Sequence, residues 1–537
     1  MREQFFKAFG RSGLAAIVLW LAAGCGERQQ ADLVIANTSE PETLDPALIT
    51  AQADGRIASA LYEGLLARDP RGNLVPGVAE RWEVSDDGLT YRFYLRANAR
   101  WSDGRRVVAR DFVESWRRAL LPATGSKYVD LTLYHIEGAE DFHRGVTTDF
   151  GTVAVRAVSD EVLELRLRQR TPYFLDLCAF VTTFPVRVDR IGEDEGANWT
   201  RPARLVSNGA YVLESWRINN RIRLRANPHY WNRANVGMAV VDVVPLPQAT
   251  TALNFYLSGL VDVLPDKAQV PTALLEDLRR RRDFHSAPIL ATYFFRINVT
   301  RAPFDNALVR RALALALDRD FIVRQITRAG EPPTGALVPP GLRGYEPPRG
   351  LLFDPQAARR LLAKAGYPQG RGFPVLELLY NPTEINDAVA EAVQSMWSRE
   401  LGLTVELRRQ EFRTYLNTMS SLSYSVARSS WIGDYADPTT FLGCFVTGSG
   451  NNRTGYSSTE YDGLLASAAA EPDSERRMQL LRQAEQILVE RDVPVIPVFH
   501  FVTVKLFDPE KLSGVAMNLL DDFPIQSIKK LKHRRPE

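Results

Sequence analysis

The sequence is poor in the groups that do chemistry. Three cysteines and six histidines are spread over 537 residues. None of the histidines stands in a metal-holding spacing such as H-E-x-x-H. There is no G-x-S-x-G turn for a nucleophilic serine, no P-loop, and no G-x-G-x-x-G between a strand and a helix. Charge of one sign is also missing. Lys+Arg is 66 against Asp+Glu 64, so the basic footprint of a nucleic-acid binder is absent. No apolar run reaches the ~18 residues of a membrane span. These absences argue against metal and nucleophilic catalysis, nucleic-acid binding and a polytopic membrane protein. What is present, 45% hydrophobic, 24% charged and 10% aromatic residues, is the composition of a soluble globular chain. The length predicts two to four domains.

The amino terminus differs from the rest. Arg2, Lys7 and Arg11 precede the apolar stretch Leu14 to Ala23, which has the length of a signal-peptide core and is too short to span. It ends Leu21-Ala22-Ala23-Gly24-Cys25, which resembles a bacterial lipobox, although Ala22 stands where a large aliphatic is usual. Residues 1–24 are expected to be a lipoprotein signal peptide, Cys25 the acylated residue and 25–30 a linker; a plain secretory signal is the alternative. Without residues 1–24 the basic and acidic counts become equal, at 63 each. A neutral body is held at a membrane better by a lipid than by its surface charge. Cys178 and Cys444 then remain, and two buried free thiols are expected rather than a bridge.

Short strands and helices alternate along the chain, as in α/β layering. Strands are predicted at Leu33–Ala36, Tyr91–Arg96, Val162–Leu167, Ile222–Arg225 and Leu403–Leu407. A helix is predicted over about 109–120, with Phe112, Val113, Trp116 and Leu120 on one face. Asp354-Pro355 reads as an N-cap and first helical position, opening a helix to about Ala365. Val389, Val393, Met396, Trp397 and Leu401 mark a helix that Gly402 stops. The Leu/Ala run 306–323 must be buried, and 474–491 forms a last long helix. The Pro- and Gly-rich stretch 330–350 is expected to be an ordered loop or connector.

Candidate sites are few. Gly448 to Gly455 is Gly-rich but lacks a phosphate-binding lysine and helix, so a flexible surface loop is expected. The paired acids Asp86-Asp87 and Asp521-Asp522 are expected to be solvated. In 427–443, Arg428 and Asp434 flank Trp431. This is either a turn with a surface Arg or a cleft in which a carboxylate, a guanidinium and an aromatic wall receive a zwitterion.

An ordered series of motifs decides between these readings. It runs from Ser39-Glu40-Pro41-Glu42-Thr43-Leu44-Asp45-Pro46 through Leu61-Tyr62-Glu63-Gly64-Leu65-Leu66 and Pro76-Gly77-Val78-Ala79-Glu80-Arg81-Trp82. It continues with Trp101-Ser102-Asp103-Gly104, Asn208-Gly209-Ala210-Tyr211 and Asn227-Pro228-His229-Tyr230-Trp231. Ala302-Pro303-Phe304-Asp305, Ala316-Leu317-Asp318-Arg319-Asp320 and Trp431 to Leu442 complete it. With these marks the chain resembles the periplasmic oligopeptide-binding proteins of ABC importers, solute-binding family 5, which also holds dipeptide-, murein-peptide- and nickel-binding members.

The resemblance implies a bilobed, periplasmic-binding-protein-like α/β fold with a two-crossing hinge. Lobe I would take 31–62, 185–290 and 503–537, an extra domain 63–184, and lobe II 291–502. It implies a lipid-anchored, monomeric periplasmic protein, without cofactor, metal or catalysis. Such a protein captures short peptides as an added strand and delivers them to an inner-membrane permease with ATPase subunits. Asp434 matches the acid that pairs with the peptide α-ammonium, and Arg428 an Arg that meets the carboxylate of a short peptide. Trp431 and Tyr128 match cleft aromatics. Backbone near Ala51–Asp54, including Gln52, and at Ser430–Ile432 would pair with the peptide. Departures from the pattern are Phe412 in place of a Trp, Asn386 in place of a His and Thr327 (beside Arg328) in place of a Lys. Ala291 and Ile432 stand where some relatives carry a cysteine pair. A murein-peptide or nickel binder of the same family is the nearer alternative; a peptide hydrolase or chaperone-like binder is more distant.

Overall fold

The computed structural model describes residues 30–192 and 196–531. The signal segment, Cys25 and most of the linker lie outside these residues. The first strand, β1 (Leu33–Asn37), is followed by a small domain. That domain holds the hairpin β2 (Leu66–Arg68) and β3 (Leu74–Pro76) and four further strands. These are β4 (Ala79–Val84), β5 (Thr90–Leu95), β6 (Val155–Ala157) and β7 (Val162–Arg166), ordered β4-β5-β7-β6. The helix Ala109–Leu120 packs Phe112, Trp116 and Leu120 onto this sheet, as its apolar spacing predicts.

Ten strands form the central sheet. They are β1 with β8 (Tyr211–Arg217), β9 (Arg221–Ala226), β10 (Val240–Pro245), β11 (Val263–Leu264), β12 (Phe284–Ile297), β13 (Leu376–Tyr380), β14 (Val405–Arg409), β15 (Val426–Ile432) and β16 (Val495–Phe507). Their spatial order is β14-β13-β15-β12-β16-β11-β1-β10-β9-β8. The sheet therefore serves two lobes, one built on β1 and β8–β11, the other on β13–β15, and β12 and β16 run through both. The fold is the bilobed α/β one.

The two long strands meet out of step at the crossing. Pro288 pairs with Val502, but the next pair is Thr292 with His500, so β12 carries two extra residues there. The proline cannot donate to the ladder, and such a bulge bends a strand and redirects its groups. The Leu290 N–H donates to Leu519 O and the Leu290 carbonyl accepts from the Gly433 N–H, each at 2.6 Å. The bulge thus grips two distant loops at once. Gly433 is needed for this approach, since a Cβ there would lie 2.5 Å from the Leu290 side chain.

The cores follow the sequence periodicity. On the helix Glu384–Leu401, Val389, Val393, Met396, Trp397 and Leu401 are buried, and Trp397 Nε1 donates to Leu313 O at 3.0 Å. Burial of that indole removes ~200 Å² from water, roughly 5 kcal/mol before entropy. Gly402, at φ 70°, ends the helix in the left-handed conformation that favours glycine. The Asp354 side chain caps Pro355–Lys364 by accepting from the Ala357 N–H. The buried 306–323 run is not one helix. It divides into Ala307–Leu315, capped by Asn306, a short turn at Arg319–Phe321 capped by Asp318, and a wide π turn at Ile322–Thr327.

Two loops are fixed by polar side chains. The 330–350 connector hangs on Glu485, which accepts from the N–H groups of Leu337 and Val338 and from the Tyr345 hydroxyl. Burial pushes this carboxyl up to about 7. The Gly-rich 448–455 loop is exposed at its tip, while its base is tied by Asn452, whose Nδ2 donates to Val446 O and Tyr456 O. Cys178 and Cys444 are free thiols buried in separate cores. Tyr435 of the second lobe enters the small domain's core and stacks on Tyr173, with centroids 4.0 Å apart and planes at 7°.

Candidate functional site

A cavity lies between the lobes, with about 280 Å³ open to water-sized groups. Three regions wall it: the helix Gln52–Leu61 and segment 520–526 of the first lobe, Tyr128, Asp176 and Phe180 of the small domain, and Gly433-Asp434 of the second lobe. The loops gripped by the crossing bulge carry two of these walls.

Asp434 is fixed from both sides. Its N–H donates to Thr440 Oγ1 at 3.0 Å, and its neighbours are the gripped Gly433 and the inserted Tyr435. Its half-buried carboxylate makes no hydrogen bond or ion pair among the described residues. Burial first, and then the charge of Asp130, push it up to about 6. Tyr128 stands near it. Its phenol is raised by burial and then by the Asp434 charge, and its ring lies 5.5 Å from Phe180. Gln52 lines the same cavity and its Nε2 donates to Asp521 Oδ2 at 3.2 Å.

Arg428 does not line this cavity. It projects from β15, where its guanidinium lies 4.7 Å above the Tyr293 ring. Its Nη1 reaches Asn381 Oδ1 at only 3.5 Å, and its Nε has no partner. Strand alternation places Ser430 and Ile432 on the same face, with Ile432 68% exposed. Trp431 faces the other way and packs against the core around Leu290 and Phe294. Arg428 and Trp431 therefore do not share a wall. Asn386 is buried, its Nδ2 donating to Asn381 O at 2.9 Å, beside Arg428. Phe412, 55% exposed, stacks on Tyr415, whose hydroxyl donates to the Arg428 carbonyl. Arg428, Asn386 and Phe412 thus form one cluster on the second lobe. Asp434, Tyr128 and Gln52 form another at the cavity. Thr327 is buried and its hydroxyl donates to Glu331 at 2.7 Å. Ala291 and Ile432 are direct partners across β12 and β15.

The expectation that Asp521 and Asp522 are solvated is corrected. Both line the cavity. Asp521, at φ 56°, is ion-paired at 2.8 Å with Lys505, which is fully buried. Burial lowers the lysine's pKa and Asp521 opposes that shift. Asp522 lies 3.1 Å from Arg68 Nε, and Arg68 Nη2 is 2.7 Å from Asp176. A signal was present in the sequence: the two acids stand between Leu519-Leu520 and Phe523-Pro524-Ile525, an apolar frame. Asp86-Asp87, the other pair, is exposed.

The arrangement offers charges and an open strand face, and no nucleophile–base pair is assembled at the cavity among the described residues. Comparison with known proteins agrees in kind. Residues 73–453 match the family model described as bacterial extracellular solute-binding proteins, family 5 Middle. The periplasmic oligopeptide-binding protein OppA of Salmonella typhimurium is 36% identical over 97% of this chain and 96% of its own. The unliganded open form of the periplasmic murein tripeptide-binding protein MppA superposes with a TM-score of 0.83 at 31% identity, covering 94% of this chain and 98% of that one. The Haemophilus influenzae OppA complex with RPPGFSPFR gives 0.73 at 30% identity, covering 94% and 100%. The chain belongs to family 5 of the bacterial extracellular solute-binding proteins.

Proposed function

We propose that this protein captures short peptides in extended form between its lobes and delivers them to an ABC permease in the inner membrane. The carrying observation is Asp434: a half-buried carboxylate without a counter-charge at the edge of the interlobe cavity. An amino-terminal ammonium supplies the missing partner. The β13 side of β15 is paired only at Val426 and Ala427, so among the described residues its edge from Arg428 to Ile432 offers backbone groups to an added strand. Arg428 meets the carboxylate when the peptide is short. Relatives named as oligopeptide-binding proteins, and a solved relative holding RPPGFSPFR, support this reading.

The domain limits in the proposal are 31–62, 185–290 and 503–537 for lobe I, 63–184 for the extra domain and 291–502 for lobe II. The protein works in the periplasm as a monomer anchored through an acylated Cys25. Micromolar capture requires about 8 kcal/mol, drawn mainly from backbone bonds and the terminal charge pair, since side-chain contacts stay permissive through water. Titration calorimetry with a free and an N-acetylated tripeptide tests the reading. The acetylated form is expected to bind at least about 100-fold more weakly, because it buries a carboxylate without its partner. Equal affinities would remove the amino-terminal anchor.

A further inference from the structure

Without residues 1–24 the chain is neutral, but its charge is not spread evenly. After Asp522 the sequence holds five cations, Lys529, Lys530, Lys532, Arg534 and Arg535, and a single acid, Glu537. The structure describes this stretch as far as Leu531 and holds its first part firmly. Lys529–Lys530 pair antiparallel with Leu512–Ser513, and the Leu531 N–H donates to Lys511 O at 2.8 Å. Buried Leu512, Ile525 and Ile528 tie this ribbon to the core of the first lobe. Lys511, Lys529 and Lys530 are exposed, and so is Leu531. The acids beside Lys511, Asp508 and Glu510, are answered by Arg282 and by Lys511 itself. Neither Lys529 nor Lys530 has an acidic partner among the described residues.

The place of the ribbon is a separate observation. Gly237 packs on it so closely that a Cβ would lie 2.7 Å from the Lys529 side chain. Three residues on, Val240 O accepts from the Asp32 N–H, and the Asp32 carboxylate accepts from the N–H groups of Ala239 and Val240, each at 2.8 Å. The chain therefore enters the fold beside the ribbon. Cys25 stands seven positions before Asp32, a reach of at most about 25 Å. An acyl group on Cys25 thus keeps this corner of the first lobe close to a bilayer. Unpaired ammonium groups near such a surface attract anionic headgroups, each worth about fivefold in affinity, and a basic patch reinforces a lipid anchor.

We propose that the ribbon of Lys511, Lys529, Lys530 and Leu531, continued in sequence by Lys532, Arg534 and Arg535, is a docking surface for anionic phospholipid headgroups. It turns one corner of the first lobe to the membrane. The inference goes beyond peptide capture and does not depend on the cleft.

Co-flotation with lipid vesicles tests it, using the chain without residues 1–24 and with Cys25→Ser, so that neither signal segment nor acyl group contributes. Binding to vesicles of phosphatidylcholine and phosphatidylglycerol is expected to be at least about tenfold tighter than to phosphatidylcholine alone, and to weaken as salt rises. The double substitution Lys529→Gln and Lys530→Gln should reduce the anionic binding at least about tenfold, while calorimetric affinity for a free tripeptide stays unchanged. Equal binding to the two kinds of vesicle overturns the proposal. A preference for phosphatidylglycerol that survives the double substitution overturns the assignment to this ribbon. Mass spectrometry of the protein extracted from membranes reads acylation of Cys25 separately, so failure of the anchor and failure of the ribbon are told apart.

Discussion

The two walls of the cleft are built on different principles. On the first lobe and the small domain, charged groups converge on a cavity and are held by partners far away in sequence, such as Gln52 with Asp521 and Arg68 with Asp176. On the second lobe, β15 offers an open face with an exposed isoleucine and one guanidinium resting on a ring. On the reading proposed above, the first wall supplies charged groups and the free edge of β15 takes up main chain whatever the side chains. Asp434 belongs by chain to the second lobe and by placement to the cavity, and it joins the two modes.

The largest expected effect tests that junction. Asp434→Ala should weaken binding of a free tripeptide by on the order of 3–5 kcal/mol, because an enclosed ammonium loses its partner; unchanged calorimetric affinity would place the anchor elsewhere. A smaller effect is expected on the strand face. Arg428→Met should cost a free tripeptide about 1.5–3 kcal/mol, the worth of a charge-assisted hydrogen bond. It should cost a carboxy-amidated tripeptide much less, and equal losses for both would deny Arg428 its carboxylate.

The smallest effect concerns pH. In the empty protein burial, and then the charge of Asp130, push the Asp434 carboxyl up to about 6, and Tyr128 and Cys444 are further ionisable neighbours. Ammonium binding needs the ionised form, so affinity should fall about tenfold from pH 7 to pH 5. The same linkage means that the charged Asp434 burdens the empty fold above pH 6, and that this burden is relieved as the pH falls through 6. In Asp434→Asn the pH dependence of affinity between 5 and 7 should flatten. A profile that persists would assign the titration to another group.

Local signals were readable where the cause is local. Asp354 caps its helix and Gly402 ends another because capping depends on residues a few positions apart. The helix Ala109–Leu120 showed its buried face in its spacing. The long strands β12 and β16 gave no alternating pattern, since β16 is buried along nearly its whole length on both faces. Their out-of-step pairing at Pro288 depends on contacts some 200 positions apart. The site divides in the same way. Asp434, Arg428 and Tyr128 came from family motifs. The turning of Trp431 away from Arg428 follows from their odd spacing once residues 426–432 are known to be a strand. Asp521 and Asp522 were missed because their partners Gln52, Arg68 and Lys505 are supplied by the fold.

The face-to-face stack of Tyr173 on Tyr435 gives the molecule a second joint. The lobes are already coupled where β12 and β16 cross, and the stack couples the second lobe to the small domain at another point. Two joints define an axle, as the pins of a gate do. Gly433 touches one and Tyr435 the other, so Asp434 is pinned between the two. On the reading proposed above, the group that receives a peptide's leading end is thereby held in register with both lobes and the small domain at once.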